Sequence, residues 1–223
     1  MPTKSKRRIP QYAGPTTWKK RKTAVTTVSK IINDHKLLNT KQNVTFRFCY
    51  RTSIDGAAAG LAATKVFRAN GLYDPYQTGV GHQPRGFDQL MALYSNYVVK
   101  KATIQVWVRN SSGSSDMLGI KVQADTTGST DYKDYGESSI GIVRMNHPTE
   151  KCYATLTVDI PTYTGKSIRD TDLQGTSLAN PNSQVYFGVG MMPFDSSNTV
   201  NGDLFVVITY SADLINSRQP SSS

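Results

Sequence analysis

The chain has little of what metal sites, disulfide scaffolds and membrane spans need: two cysteines, three histidines and two tryptophans in 223 residues. It also lacks the run of about 18 apolar residues that a spanning helix requires. Each scarcity excludes something. Cys49 and Cys152 are too few for a disulfide framework; each lies in a strand-like run and reads as a free, buried thiol in a reducing compartment. His35, His82 and His147 are scattered, with no zinc-ligand spacing, and His82 before Gln83-Pro84 reads as a turn residue. There is no Gly-x-Ser-x-Gly elbow and no phosphate-cradling Gly-rich loop. Asp170, Asp172 and Gly175 are only a fragment of a calcium loop. These absences argue against an enzyme and imply no cofactor or metal. The basic N-terminus has no apolar core behind it and does not read as a secretory signal.

Acid is missing from one region in particular. Residues 1–43 hold eleven Lys and Arg against one acid, Asp34, for a net charge of +10. Residues 44–223 hold fifteen basic and fifteen acidic residues, for a net of zero. The whole excess therefore lies in the first fifth of the chain, in two clusters, Lys4–Arg8 and Lys19–Lys22, on either side of Pro10, Gly14 and Pro15. A cationic arm on a neutral body is the signature of a tail that meets a polyanion. Val25, Val28, Ile32 and Leu38 hint at an amphipathic turn or two within the arm.

From Asn43 onward the hydrophobic period is two, as strands require. In NVTFRFCYRTS, Val44, Phe46, Phe48 and Tyr50 point one way, and Thr45, Arg47, Cys49 and Arg51 the other. ATKVFRAN is a shorter candidate. YVVKKATIQVWVRN sets Ala102, Ile104, Val106 and Val108 against Thr103, Gln105, Trp107 and Arg109. MLGIKVQAD and KCYATLTVDIP alternate likewise, and IGIVRMN is a weaker eighth candidate. QVYFGVGMMPF and DLFVVITYSADL are almost continuously apolar and predict central strands covered on both sides. Within the former, Gly188-Val189-Gly190 marks a bulge or close packing. GFDQLMALYSNY places Phe87, Leu90, Met91 and Tyr94 at helical spacing and predicts one short helix. The connections are long and polar, too long for tight hairpins. The pattern predicts an all-β, eight-stranded single jelly roll, a two-sheet antiparallel sandwich over 44–223, behind a basic N-terminal arm over 1–43.

The stretch Phe67 to Val108 resembles the central signature of capsid proteins of small circular single-stranded DNA viruses, the circovirus-like and related Rep-encoding group. The shared parts are Asn70 to Pro75 (Asn-Gly-Leu-Tyr-Asp-Pro), Gly81-His82-Gln83-Pro84, Gly86-Phe87-Asp88-Gln89, and Tyr94 and Tyr97 leading into an alternating strand. The arm is Lys-rich, where many of these proteins carry dense Arg. The resemblance implies a jelly roll whose copies close into the smallest icosahedral shell (T=1), with about sixty subunits. It also implies an arm directed at the genome, assembly in the host nucleus and a final location in the virion.

Chemistry gives the arm its candidate residues. Lys4, Lys6, Arg7, Arg8, Lys19, Lys20, Arg21 and Lys22 would neutralise phosphates, and Trp18 and Tyr12 would stack on unpaired bases. Sixty copies would bring about 600 positive charges, enough to matter for packaging several hundred nucleotides. Lys6 to Arg8 and Lys19 to Lys22 also match a bipartite nuclear-import pattern read by a host importin. Trp107 is either a covered edge residue or an interface anchor; Arg47, Arg51 and Arg109 either add to the cationic inner wall or form outward salt bridges. Tyr94 and Tyr97 pack the helix on the sheet. The partners implied are further copies of the chain, single-stranded DNA with RNA as the alternative, an importin and a host receptor, with glycan as one candidate class. The competing readings are the shell of a small RNA virus or satellite, a basic nucleic-acid-binding protein that does not assemble, and a sugar-binding jelly roll.

Overall fold

The computed structural model describes residues 38–56, 58–147 and 152–218. All the arm candidates, and the amphipathic pattern up to Ile32, lie outside the described residues. Among the described residues nine strands form two antiparallel sheets: β1 (Lys41–Asp55), β2 (Ala63–Arg68), β3 (Tyr94–Asn110), β4 (Asp116–Gln123), β5 (Gly141–Asn146), β6 (Cys152–Asp159), β7 (Gln174–Gly175), β8 (Tyr186–Pro193) and β9 (Asn201–Ser217). One sheet runs β1-β9-β3-β6, with the two-residue β7 paired to β3, and the other runs β2-β8-β4-β5. The pairings β4·β5, β3·β6, β2·β8 and β1·β9 are nested like the arms of one long hairpin. Successive pairs go to alternate sheets, and β9·β3 and β8·β4 join the pairs side by side. This rolled-up hairpin is the strand order of a jelly roll.

Alternation explains which side chains meet. Phe46 and Phe48 of β1, Ile104 and Val106 of β3, and Val206 and Ile208 of β9 turn inward and are buried. Across the sandwich stand Phe67, Leu118, Ile120, Phe187 and Val189. β8 is buried at every position, as a central strand should be. β9 is not covered throughout: its inward phase is fully buried, but Phe205 on the other phase is 45 % exposed. Cys49 is exposed and only Cys152 is buried, because alternation puts Cys49 in phase with Arg47 and Arg51; both thiols are free. β1 begins at Lys41, three residues before the expected boundary.

The expected helix is shorter than its spacing suggested. It covers Phe87–Met91 and opens at Gly86, whose φ of 80° suits glycine. Phe87 packs against Phe46 and Tyr97, with ring centroids 5.9 and 5.5 Å apart. Tyr94 already belongs to β3, because pairing with β9 starts there, Tyr94 opposite Ser217. Two further single-turn helices lie at Lys133–Gly136 and Ile160–Thr164, and a 3-10 turn at Thr171–Leu173.

The signature segment is a loop locked by buried polar groups. Asn70 donates to the Ser183 carbonyl at 2.8 Å and accepts from the Val185 amide at 3.0 Å. Arg68 bonds the Asp74 carboxylate and the Asp74 carbonyl, both at 2.8 Å, and Gln184 at 2.8 Å. The Tyr97 hydroxyl accepts from the Leu72 amide at 3.0 Å.

The centre of the outer face of the β2-β8-β4-β5 sheet is covered by the chain's own β4–β5 connection. Tyr135, on the β4–β5 connection, is fully buried over Gly119 and Gly190, which stand opposite each other in adjacent strands. A Cβ on Gly119 would lie 2.6 Å from the Tyr135 ring, and one on Gly190 would lie 2.5 Å from its hydroxyl oxygen. Gly188-Val189-Gly190 thus marks close packing.

Two stability predictions follow from this packing. Gly119→Ala should cost about 1–3 kcal/mol by overpacking. In a Tyr135→Ala background the same change should be neutral or stabilising, and a denaturant double-mutant cycle reads the difference. The second concerns Asp116, at the start of β4 and fully buried, whose Oδ1 has no hydrogen-bond partner among the described residues. Burial raises its pKa to about 6, against weaker opposing bonds from Ser112 and Ser114. A carboxyl raised in the fold favours the folded state only while protonated, so its penalty is absent below about pH 4 and complete above about pH 6. Asp116→Asn should therefore stabilise the protein at pH 7 by on the order of 2–3 kcal/mol. Thermal melts should show that gain vanishing below pH 4.

Candidate nucleic-acid interface

β1 enters the sheet through a charged clamp. Lys41 lies 2.7 Å and Lys100 2.9 Å from the carboxylate of Asp213, and Asn43 donates to it at 3.1 Å. Asp213 is 1 % exposed. Burial alone would raise its pKa, but hydrogen bonds from Lys41 and Lys100 outweigh that and hold it below the usual carboxylate range. These two lysines are thus already paired within the fold.

Beyond the clamp, the outer face of the β1-β9-β3-β6 sheet is laid out in rows by strand register. One row runs Arg51, Phe205, Trp107, Tyr153 across four strands. The ring centroids of Trp107 and Tyr153 are 5.0 Å apart, and those of Trp107 and Phe205 5.6 Å. Gln105 donates to the Tyr153 hydroxyl at 2.9 Å, and Thr103 and Thr157 hydroxyls meet at 2.9 Å. A groove of about 710 Å³ lies here, lined among others by Arg47, Cys49, His82, Arg85, Trp107 and Phe205. No acidic residue lines it.

Trp107 is not at an edge, since β3 lies between β9 and β6. Arg47, Arg51 and Arg109 do share this face, and all are exposed. None forms a salt bridge among the described residues, although Arg109 stands opposite Asp203. Tyr153, Phe205 and Arg85 belong to the same surface and were not anticipated. Their signal was present in two cases: Tyr153 and Phe205 are aromatics on the wrong phase of their own strands.

The other candidates are structural in their contacts. The His82 ring lies 5.0 Å from that of Phe48. Asp172 is bound by Lys166 at 2.6 Å, and Asp170 caps the Asp172 amide at 3.0 Å. No group of three or more His, Cys, Asp or Glu able to hold a metal occurs among the described residues. No described helix is long and apolar enough to cross a membrane.

No protein-family model and no curated protein matches the chain. Solved structures of virus proteins do resemble it. Tobacco necrosis virus aligns with a TM-score of 0.49 at 12 % identity, over 83 % of this chain and 87 % of that one. Cocksfoot mottle virus aligns at 0.45 and 12 % identity, over 98 % of each. The decameric BFDV capsid protein aligns at 0.44 and 10 % identity, over 80 % of this chain and 99 % of that one. The jelly-roll assignment itself rests on the strand order given above.

The Asp213 clamp carries its own pH test. A carboxylate depressed in the fold contributes stability above its unfolded value, about pH 4, and loses it as pH falls through the folded value. Asp213→Asn should lower stability by about 1–3 kcal/mol at pH 7, since charged hydrogen bonds of this size are lost. Melts at pH 7 and pH 3 should show that deficit shrinking in acid.

Proposed function

We propose that the chain is a viral capsid protein, with a structural role rather than an enzymatic one. Copies of the jelly roll tile a small icosahedral shell (T=1), and the arm over 1–43 packages a circular single-stranded DNA genome. The observation that carries this reading is the separation of charge: a net +9 in residues 1–40, ahead of a jelly-roll domain that starts with Lys41 and whose net is +1. The resemblance of Phe67 to Val108 to circovirus-like capsid proteins supports the choice of genome.

Lys4, Lys6, Arg7, Arg8, Lys19, Lys20, Arg21 and Lys22 bind phosphate by releasing condensed counterions, with Trp18 stacking on bases. Such binding tolerates any sequence, because point charges and ring faces read no base edges. Lys6 to Arg8 and Lys19 to Lys22 serve importin before they serve the genome, since one charge set cannot neutralise both partners at once. Nuclear assembly follows from that order. The long outer loops are the surface for a host receptor, glycan included.

Purified protein should form uniform particles by electron microscopy and sedimentation. Deleting residues 1–22 should remove most of the nucleic acid and flatten the salt dependence of binding, with the sandwich still folded. Truncated particles that package normally would refute the arm's role, and a monomer at every concentration would refute the shell. DNase and RNase digestion of the extracted cargo separates the DNA reading from a small RNA virus.

A further inference from the structure

We infer that the open face of the β1-β9-β3-β6 sheet is itself a binding surface for unpaired nucleotides. Trp107, Phe205 and Tyr153 serve as the base-stacking platform, and Arg47 and Arg51 as the phosphate contacts. The inference rests on the reading that the chain binds a single-stranded genome, and it assigns part of that binding to the folded domain rather than to the arm.

The two sheets treat their outer faces differently. On the β2-β8-β4-β5 sheet the outer slot over Gly119 and Gly190 is filled by Tyr135, itself fully buried, from the β4–β5 connection. The β1-β9-β3-β6 sheet leaves Phe205 45 % and Tyr153 42 % exposed, on either side of Trp107. Three adjoining rings on one solvent-facing row make a continuous π surface on which bases stack, a contact indifferent to sequence.

Charge selects the occupant. Arg68, elsewhere in the fold, is fully engaged by Asp74 and Gln184. On the open face Arg47, Arg51, Arg85 and Arg109 have no salt bridge among the described residues. Arg47 and Arg85 border a groove without an acid, and Arg51 stands directly beside Phe205 in the row. Guanidinium groups beside exposed rings match a ligand with alternating phosphates and flat faces. A duplex hides those faces inside its stack, so the ligand is a single strand. Gln105 and the Tyr153 hydroxyl add hydrogen-bonding groups at the end of the row.

Trp18 and Trp107 are the two tryptophans, so Trp18→Phe leaves Trp107 as the only indole reporter in the full-length chain. Unassembled subunits of this variant are titrated with oligo-dT of about ten nucleotides, a length within single-domain site sizes. Binding should quench Trp107 emission and shield it from acrylamide. An abasic strand of equal length should bind through the arm without quenching. Arg47→Gln with Arg51→Gln should raise the oligo-dT concentration needed for quenching by about tenfold. If oligo-dT binds and Trp107 emission does not change, this inference fails while the arm reading stands. If nothing binds even in dilute buffer, the genome-binding reading fails with it. Trp107 already shielded from acrylamide in nucleic-acid-free particles would show that a second copy covers the face, and would equally overturn the inference.

Discussion

One buried carboxylate ties the three longest strands together. Asp213 sits on β9 and is held by Lys41 and Asn43 of β1 on one side and Lys100 of β3 on the other. Side chains alternate with a period of two, so a slip of one residue in β9 would turn Leu204, Val206 and Ile208 out to solvent. It would also strand Asp213 in the interior without its cations. Pairing to both neighbours therefore pins the register on which the core and the outer rows both depend. The irregularity between Val99 and Lys101 gives β3 an extra residue at that point, where Lys100 meets Asp213.

That register makes the two outer faces chemically distinct. On β8 and β4, small residues stand opposite one another, and the slot they leave is filled by a tyrosine from the chain's own connection. On β9, β3 and β6, large aromatics stand opposite one another, and Phe205 and Tyr153 remain exposed. The first face is filled at its centre, and the second presents exposed rings. If copies assemble as proposed, the face whose centre Tyr135 fills suits contact with neighbours or solvent, and the open face with its arginines and exposed rings suits cargo.

Much of this was legible in the chain. Alternating or nearly continuous apolar runs located all eight principal strands, including the weak Ile140 to Asn146 candidate, because each strand has at least one face in a common core. The exposed side of Cys49 was also present in that alternation and needed only to be followed. The helix Ile160–Thr164 was announced by Asp159, Pro161 and Gly165, an N-cap, a first-turn proline and a left-handed C-terminal glycine, but inside a strand-like run. What could not be read was lateral pairing. Gly119 meets Gly190, and Trp107 meets Phe205 and Tyr153, only after distant strands have chosen partners. Periodicity says which way a residue points and not what stands beside it. The reading of the arm's basic clusters as phosphate-binding rests on charge alone.

The nested pairing has a temporal side. Asn43 and Asp213, which join β1 to β9, are 170 residues apart in the chain. Every earlier strand leaves the ribosome before the one that completes its sheet, so β1 waits as a bare edge until β9 has been translated. The β1-β9-β3-β6 sheet is therefore completed only at the close of synthesis. The aromatic row of the outer face, which needs Phe205 of β9 beside Trp107, is complete only once translation has reached the last strand.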